Sequence, residues 1–380
     1  MLTAPDFRFK NSNTNLPEKG NYTWKTPSNI ALVKYWGKRE PQLPENPSIS
    51  FTLDACFTLT TIVFSKRDLR LSELSSKPDK KSIKQVHVNK SVPFEIYFEG
   101  VKNDEFKPKI KKFLDRIIHY VPFISNYTLV ITSRNSFPHS SGIASSASGL
   151  SALALCIMSL EKEINPAITD AYFNKKASFL ARLGSGSASR SIEGELVVWG
   201  KHEAFNESSD LYGIKYPKEI HKNFKNYHDT ILLVDKGEKQ VSSTVGHNLM
   251  YQHPFAKQRF TQAHENLSKL NIILQNGNLK EFIAIVESEA LTLHAMMMSS
   301  NPYFILMKPN TLEIIRKIWA FRAQTNSNIC FTLDAGANVH ILFPEKEKKA
   351  VNNFIVSKLL LYCQKGDYIC DRVGLGAKQL

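Results

Sequence analysis

Cysteine is scarce in this chain, and what there is forms no pattern. Five Cys (Cys56, Cys156, Cys330, Cys363 and Cys370) are scattered over 380 residues, odd in number and without a CxxC pair. That excludes a disulfide framework and a cysteine-based zinc site, and it points to a reducing compartment, so a cytoplasmic location is expected. No apolar run approaches the length needed to span a bilayer, and Met1–Gly20 lacks the apolar centre of a signal peptide. Internal repeats at solenoid spacing are missing too. Neither the Gxxxx-GK[ST] loop nor a GxGxxG turn after a first strand is present, which removes the two commonest nucleotide loops.

Acidic residues are in deficit as well, 35 against 49 Lys plus Arg, leaving a formal charge of +14. Nucleic acid, an anionic membrane surface and a polyanionic small substrate would all be attracted by that excess. Much of it lies in Ser65–Lys112, as KRDLR, KPDKKSIK and KPKIKK. Aromatic residues do not alternate with those lysines as they would in a platform for single strands, so most read as solvated surface charge. The hydrophobic content of 42% is that of an ordinary globular protein, with length enough for two cores.

What is present is a mixed α and β pattern. Strand-like segments fall at Ile30–Val33, Ser48–Leu53, Thr58–Phe64, Pro93–Phe98, Tyr127–Thr132 and Gly194–Trp199. Helical periodicity covers Lys107–Tyr120, Leu150–Leu160 and Ala167–Leu183. Gly200–Asn226 is polar and aperiodic and is read as the boundary between two domains, 1–205 and 206–380. Beyond it come strands at Asp229–Val234, Asn328–Asp334 and Val339–Phe343, and helices at Phe260–Leu274, Leu279–Met298 and Thr311–Gln324. The order gives an α+β pair of domains rather than a doubly wound parallel sheet.

Five segments carry the chemistry. Asn135–Gly149 (NSFPHSSGIASSASG) joins a strand to a helix and is rich in Ser and Gly. Amides and a helix dipole there can hold a phosphate, although a plain Ser-rich turn capping a helix has the same composition. Asn29–Arg39 (NIALVKYWGKR) packs cations against aromatics, and Lys34, Tyr35 and Lys38 could clamp a diphosphate. Gly184–Ser191 (GSGSASRS) closes a second Ser/Gly run on Arg190, whose planar guanidinium suits a carboxylate. Val241–Gly246 clusters the hydroxyls Ser242, Ser243 and Thr244, equally at home in a helix cap. Thr332–Asn338 (TLDAGAN) puts Asp334 at a strand end before a Gly turn, either as a turn residue or as an acceptor for a substrate proton.

Taken together, these segments resemble the diphosphomevalonate decarboxylase family, within the superfamily of small-molecule kinases that includes galactokinase, homoserine kinase and mevalonate kinase (the GHMP kinases). The family pattern NIAxxKYWGKR appears as Asn29–Arg39, FPxxxGxASSA as Phe137–Ala147, RxGSGSAxRS as Arg182–Ser191 and DAGxN as Asp334–Asn338. The resemblance implies a two-domain GHMP kinase fold, with an N-terminal domain like ribosomal protein S5 domain 2 and a ferredoxin-like α/β C-terminal domain. It implies ATP-dependent decarboxylation of mevalonate 5-diphosphate to isopentenyl diphosphate, through transient phosphorylation at the 3-position, in the mevalonate pathway of isoprenoid biosynthesis.

Residue by residue, the resemblance gives catalytic work to Asp334, Lys34 and Arg190. Tyr35, Lys38, Ser185 and Ser187, with Ser242 or Ser243, are expected to bind the substrate diphosphate. Ser140, Ser141, Gly142, Ala144, Ser145 and Ser146 are expected to bind ATP, and Ser145 or Ser146 to hold Mg2+. The expected partner is the small-molecule substrate, with no nucleic acid and no membrane, in a homodimer. Three departures stand out: His139-Ser-Ser141 where the family commonly has Thr-Ala-Ala, Ala337 where it has Pro, and Ala377 ending Val-Gly-Leu-Gly where Pro is usual. The nearest alternatives are a 3-kinase of mevalonate or its monophosphate, a decarboxylase of the monophosphate, and a non-catalytic ligand- or nucleic-acid-binding relative.

Overall fold

The computed structural model describes residues 2–10, 15–67, 91–138, 143–237 and 243–380. Two sheets organise them. Strand β1 (Lys19–Val33) is exposed and half-buried by turns at its start and buried throughout its last eight residues. It therefore begins far upstream of the apolar segment Ile30–Val33, because Gly20, Thr26 and Ser28 on its inward face weaken the apolar alternation. Pro27 is tolerated within it at a register shift between Pro27 and Asn29.

The two predicted strands Ser48–Leu53 and Thr58–Phe64 are one strand, β2 (Ser48–Lys66), antiparallel to β1. The residues between them continue as strand because the Asp371 carboxylate accepts the N–H groups of Asp54, Ala55 and Cys56 at 2.9, 2.7 and 2.8 Å. Strand β3 (Phe94–Phe98) runs parallel to β4 (Tyr127–Asn135), which is antiparallel to β2. The short β5 (Leu196–Trp199) pairs with Ser48–Phe51. Against this first sheet lie helices α1 (Lys107–Ile117), α2 (Ser145–Ile164) and α3 (Asp170–Gly184). Helix α2 starts five residues before the apolar run that predicted it, so the second half of the Ser-rich segment is its first turn.

The second sheet contains β6 (His228–Leu232), β7 (Cys330–Thr332), β8 (Val339–Phe343) and β9 (Tyr368–Arg372). Their order is β7-β8-β6-β9 and every pairing is antiparallel. With helices between β6 and β7 and after β8, this is the βαββαβ arrangement of a ferredoxin-like unit, as expected. Those helices are α4 (Ala256–Asn276), α5 (Leu279–Met298), α6 (Pro309–Thr325) and α7 (Lys348–Phe354). Gly277 ends α4 at φ +79°, a left-handed turn suited to glycine, and the Asn278 side chain caps α5 by accepting the Glu281 N–H.

One apolar core runs from the first sheet (Ile49, Phe51, Ile62) through to α4 and α5 (Leu267, Leu270, Phe282, Val286). A second fills the space between α6 and β8. The chain end also returns to the first sheet, where Lys378–Gln379 pair with Lys25 and Trp24 of β1. Segments distant in sequence are thereby fixed against one another where β1 meets α5.

Candidate active site

Strand β1 ends at Val33, and Lys34 is the first residue beyond its ladder. The Lys34 side chain is buried, and its Nζ lies 3.1 Å from Asp334 Oδ1. Burial pushes the lysine's pKa down, and the opposing Asp334 carboxylate works against that shift. Asp334 follows β7 on the turn to β8 and is about a quarter exposed, so one face of this pair is open to a ligand. Four hydrogen bonds anchor the turn. The Asp334 carbonyl accepts from His294 Nε2 (3.2 Å) and from the Gly336 N–H (2.7 Å). Thr311 Oγ1 donates to the Ala337 carbonyl, and Asn338 Oδ1 accepts the Asp235 N–H. The looser turn expected from Ala337 in place of Pro is thus offset by side chains.

Arg190 is buried at the end of the turn after α3. Its Nε and Nη1 donate to Ser50 Oγ and Ser48 Oγ, both at 2.6 Å, and its guanidinium lies over the Trp199 ring. Among the described residues it has no carboxylate within ion-pair distance, and burial lowers its pKa to about 10. A buried arginine held by neutral hydroxyls keeps strong attraction for an incoming anion.

Tyr35 stands edge-on to Trp199, and its buried hydroxyl finds no partner among the described residues. Gly186 is required beside it: a Cβ there would come within 2.8 Å of the Tyr35 hydroxyl and 2.7 Å of Trp199. Ser185 and Ser187 face one another on the same turn, Oγ to Oγ 3.4 Å. Asn29 ties that turn to β1 through Nδ2, which donates to Ser191 Oγ at 2.8 Å and to the Ser187 carbonyl at 3.3 Å. Half-buried Lys38 reaches Gln42 Oε1 at 3.1 Å, and its pKa is lowered by desolvation. It borders a groove of about 630 Å³ whose walls include His247, Lys257 and Phe260. The structure therefore brings Lys34, Tyr35, Lys38, Ser185, Ser187, Arg190 and Asp334 to one region.

The phosphate segment is described in part. Ser145 and Ser146 open α2, and Ala144 before them is left-handed at φ +44°. Ser140, Ser141, Gly142 and Ser242 lie outside the described residues. Ser243 begins the short helix Ser243–Asn248, and its side chain is likewise outside them. Beside Ser145 and Ser146 is an apolar cavity walled by Ile96, Phe98, Phe106, Ile110 and Leu150. Among the described residues no group of three or more His, Cys, Asp or Glu could hold a metal. Three of the described lysines of the basic stretch pair with surface carboxylates, Lys102 with Glu95, Lys107 with Asp104 and Lys111 with Asp115, while Lys109 lines the cavity.

Several groups at this site were not legible as such in the sequence. Ser48 and Ser50 read only as strand residues, yet they hold Arg190. His247 packs on Tyr35 and Trp36, with ring centroids 4.2 and 4.6 Å away, and its Nδ1 accepts the Gly37 N–H at 3.0 Å. Burial lowers the His247 pKa to about 3, so it is a neutral part of the wall. Arg259, Glu289 and His294 surround Lys34 and the Asp334 turn from α4 and α5.

The chain is similar to proteins of one family. Residues 26–92 and 82–210 match the diphosphomevalonate decarboxylase-like N-terminal domain, and residues 230–372 match the mevalonate 5-diphosphate decarboxylase C-terminal domain. The chain is 28% identical over 338 residues to diphosphomevalonate decarboxylase mvd1 of Aspergillus fumigatus, covering 87% of this chain and 78% of that one. A solved structure of MDDEF in complex with MVAPP, AMPPCP and magnesium superposes with a TM-score of 0.76 at 27% identity, covering 95% of this chain and 99% of the other. A mevalonate diphosphate decarboxylase from Enterococcus faecalis gives a TM-score of 0.75 at 25% identity, with the same coverage of both chains.

Proposed function

The chain belongs to the diphosphomevalonate decarboxylase family, and we propose that the region around Lys34, Arg190 and Asp334 carries out the ATP-dependent decarboxylation of mevalonate 5-diphosphate. The observation that carries the reading is the part-buried Lys34–Asp334 contact of 3.1 Å between residues three hundred positions apart, with Arg190 beside it. Asp334 accepts the proton of the substrate's tertiary hydroxyl as that oxygen attacks the γ-phosphorus of ATP. A tertiary alcohol is too weak an acid to ionise beforehand, but a loose phosphoryl-transfer transition state needs the proton removed only late. Lys34 keeps Asp334 ionised before transfer.

The new C–O–P linkage then breaks with its electron pair leaving on phosphate. The bond to the carboxylate supplies the pair that forms the double bond, and CO2 departs. Arg190 orients that carboxylate, its guanidinium plane fixed by Ser48 and Ser50. Tyr35, Lys38, Ser185, Ser187 and Ser242 or Ser243 hold the diphosphate. The first turn of α2 and the Ser140–Ser146 segment hold the ATP phosphates, Ser145 or Ser146 supplies an oxygen to Mg2+, and the cavity of Ile96, Phe98, Phe106 and Ile110 receives the base. Two polyanionic ligands also give the basic charge a use.

The division into domains 1–205 and 206–380, a cytoplasmic location and a homodimer belong to the same reading. Five free cysteines support the compartment, and the family resemblance supports the dimer. The test incubates the protein with ATP, Mg2+ and each of mevalonate, its 5-phosphate and its 5-diphosphate. ADP and CO2 with the diphosphate alone are expected. ADP without CO2 would make it a 3-kinase, turnover only with the monophosphate would move the substrate, and no turnover would favour a binding protein.

A further inference from the structure

Lys34 and Asp334 leave different sheets, yet the groups that hold their backbones share one helix. We propose that α5 sets the distance between them, Glu289 fixing the main chain of Lys34 and His294 fixing that of Asp334, so that both are positioning residues for the reaction. The proposal rests on the roles given above to Lys34 and Asp334.

At one end, Glu289 Oε2 accepts the Lys34 N–H at 2.8 Å. The Lys34 carbonyl in turn accepts from Arg259 Nη2 at 3.1 Å and from Asn46 Nδ2 at 2.9 Å. Arg259 and Glu289 are both fully buried and joined by two contacts of 2.5 and 3.0 Å, with Asn266 Nδ2 donating to Glu289 at 2.6 Å. Lys34 lies past the end of the ladder, so its peptide groups require partners. Neutral side chains would satisfy that need. A desolvated ion pair is no more stable than apolar residues of the same volume, but its charge-assisted bonds are short and directional. Geometry, rather than stability, is what the pair contributes.

At the other end, His294 is buried and its Nε2 lies 3.2 Å from the Asp334 carbonyl, which requires a proton on that nitrogen. Burial, with Lys34 adding to it, holds His294 neutral at a pKa of about 4. It therefore donates without placing another cation beside Asp334. Glu289 and His294 are five residues apart, about 7.5 Å along the axis. The helix between them is packed through Ala290 and Leu293, both buried, so the spacing is stiff.

The test compares Arg259→Met/Glu289→Met, His294→Leu and His294→Gln with the wild type. Replacing both members of the ion pair by apolar residues should leave a folded protein, and the Gln side-chain N–H can reach where the imidazole N–H does. Crystal structures of the substrate-free variants report the Lys34–Asp334 separation without any turnover, so they decide the matter even if the proposed activity fails. The double variant and His294→Leu are expected to open the pair beyond about 4 Å. Their kcat should fall about tenfold or more with KM for the diphosphate substrate nearly unchanged, while His294→Gln retains both values. An unmoved pair in the folded variants would overturn the proposal. Should the double variant not fold, equal separation in the Leu and Gln variants would do the same.

Discussion

The pair Lys34–Asp334 and the first turn of α2 sit at opposite extremes of order. Around the pair, the Lys34 N–H and carbonyl are held by Glu289, Arg259 and Asn46, and the Asp334 carbonyl by His294 and Gly336. At the helix start, Ala144 has no side-chain cap bond and a left-handed backbone, and Ser145 and Ser146 are only half-buried. The contrast follows the chemistry each region is given. A carboxylate that must accept a proton in one geometry needs a rigid mount, whereas a site for a triphosphate and its ion is completed by the ligand itself.

The strongest way to break the contrast is at its ordered end. Asp334→Asn keeps the shape and removes the proton acceptor, so kcat should fall about 10²-fold or more, with KM for both substrates little altered. Steady-state kinetics check this, and near-normal turnover would remove Asp334 from the role. Arg190→Lys comes next. An ammonium cannot bond Ser48, Ser50 and a carboxylate in one plane, and a loss of about 10- to 100-fold in kcat/KM is expected, since planar recognition is not conserved by a point charge.

The segments of the candidate site stood out because their residue types are unusual together: a lysine–aromatic cluster at 34–39, a Ser/Gly run ending in Arg190, and an Asp before a Gly turn. Their mounts were not. Glu289 lies in EFIAIVESEALTL, where it has the look of one more solvated position between apolar ones, and only the approach of β1 and α4 makes it buried. His294 is a single imidazole in an apolar helix, and Ser48 and Ser50 are ordinary strand hydroxyls. The early half of β1 was hidden for a related reason, since Gly20, Thr26 and Ser28 on its inward face leave only Tyr22 and Trp24 to mark the alternation. Motifs report the atoms that meet a ligand, while the groups that aim them are set by tertiary packing.

Acid should weaken the ordered end. His294 titrates at about 4 in the fold and near 6.5 when unfolded, so between those values the unfolded chain binds a proton that the fold excludes. Stability must then fall as pH drops through that window, by about 2 kcal/mol at pH 5 relative to pH 7 for this group alone. Melting temperatures of the wild type and His294→Gln across pH 7 to 5 should converge on acidification, and parallel curves would contradict the assignment.

The smallest effect belongs to the other region. Ala144→Gly relieves a left-handed alanine and should raise stability by up to about 1 kcal/mol, read as a higher Tm. A lower Tm would show that the loop does not strain the chain there.

The most direct test of the account is a single-turnover measurement with mevalonate 5-diphosphate, ATP and Mg2+, following ADP and CO2 in one quenched time course. The account predicts one CO2 for each ADP, because phosphorylation at the tertiary oxygen serves only to expel the carboxylate. ADP formed without CO2 would contradict it.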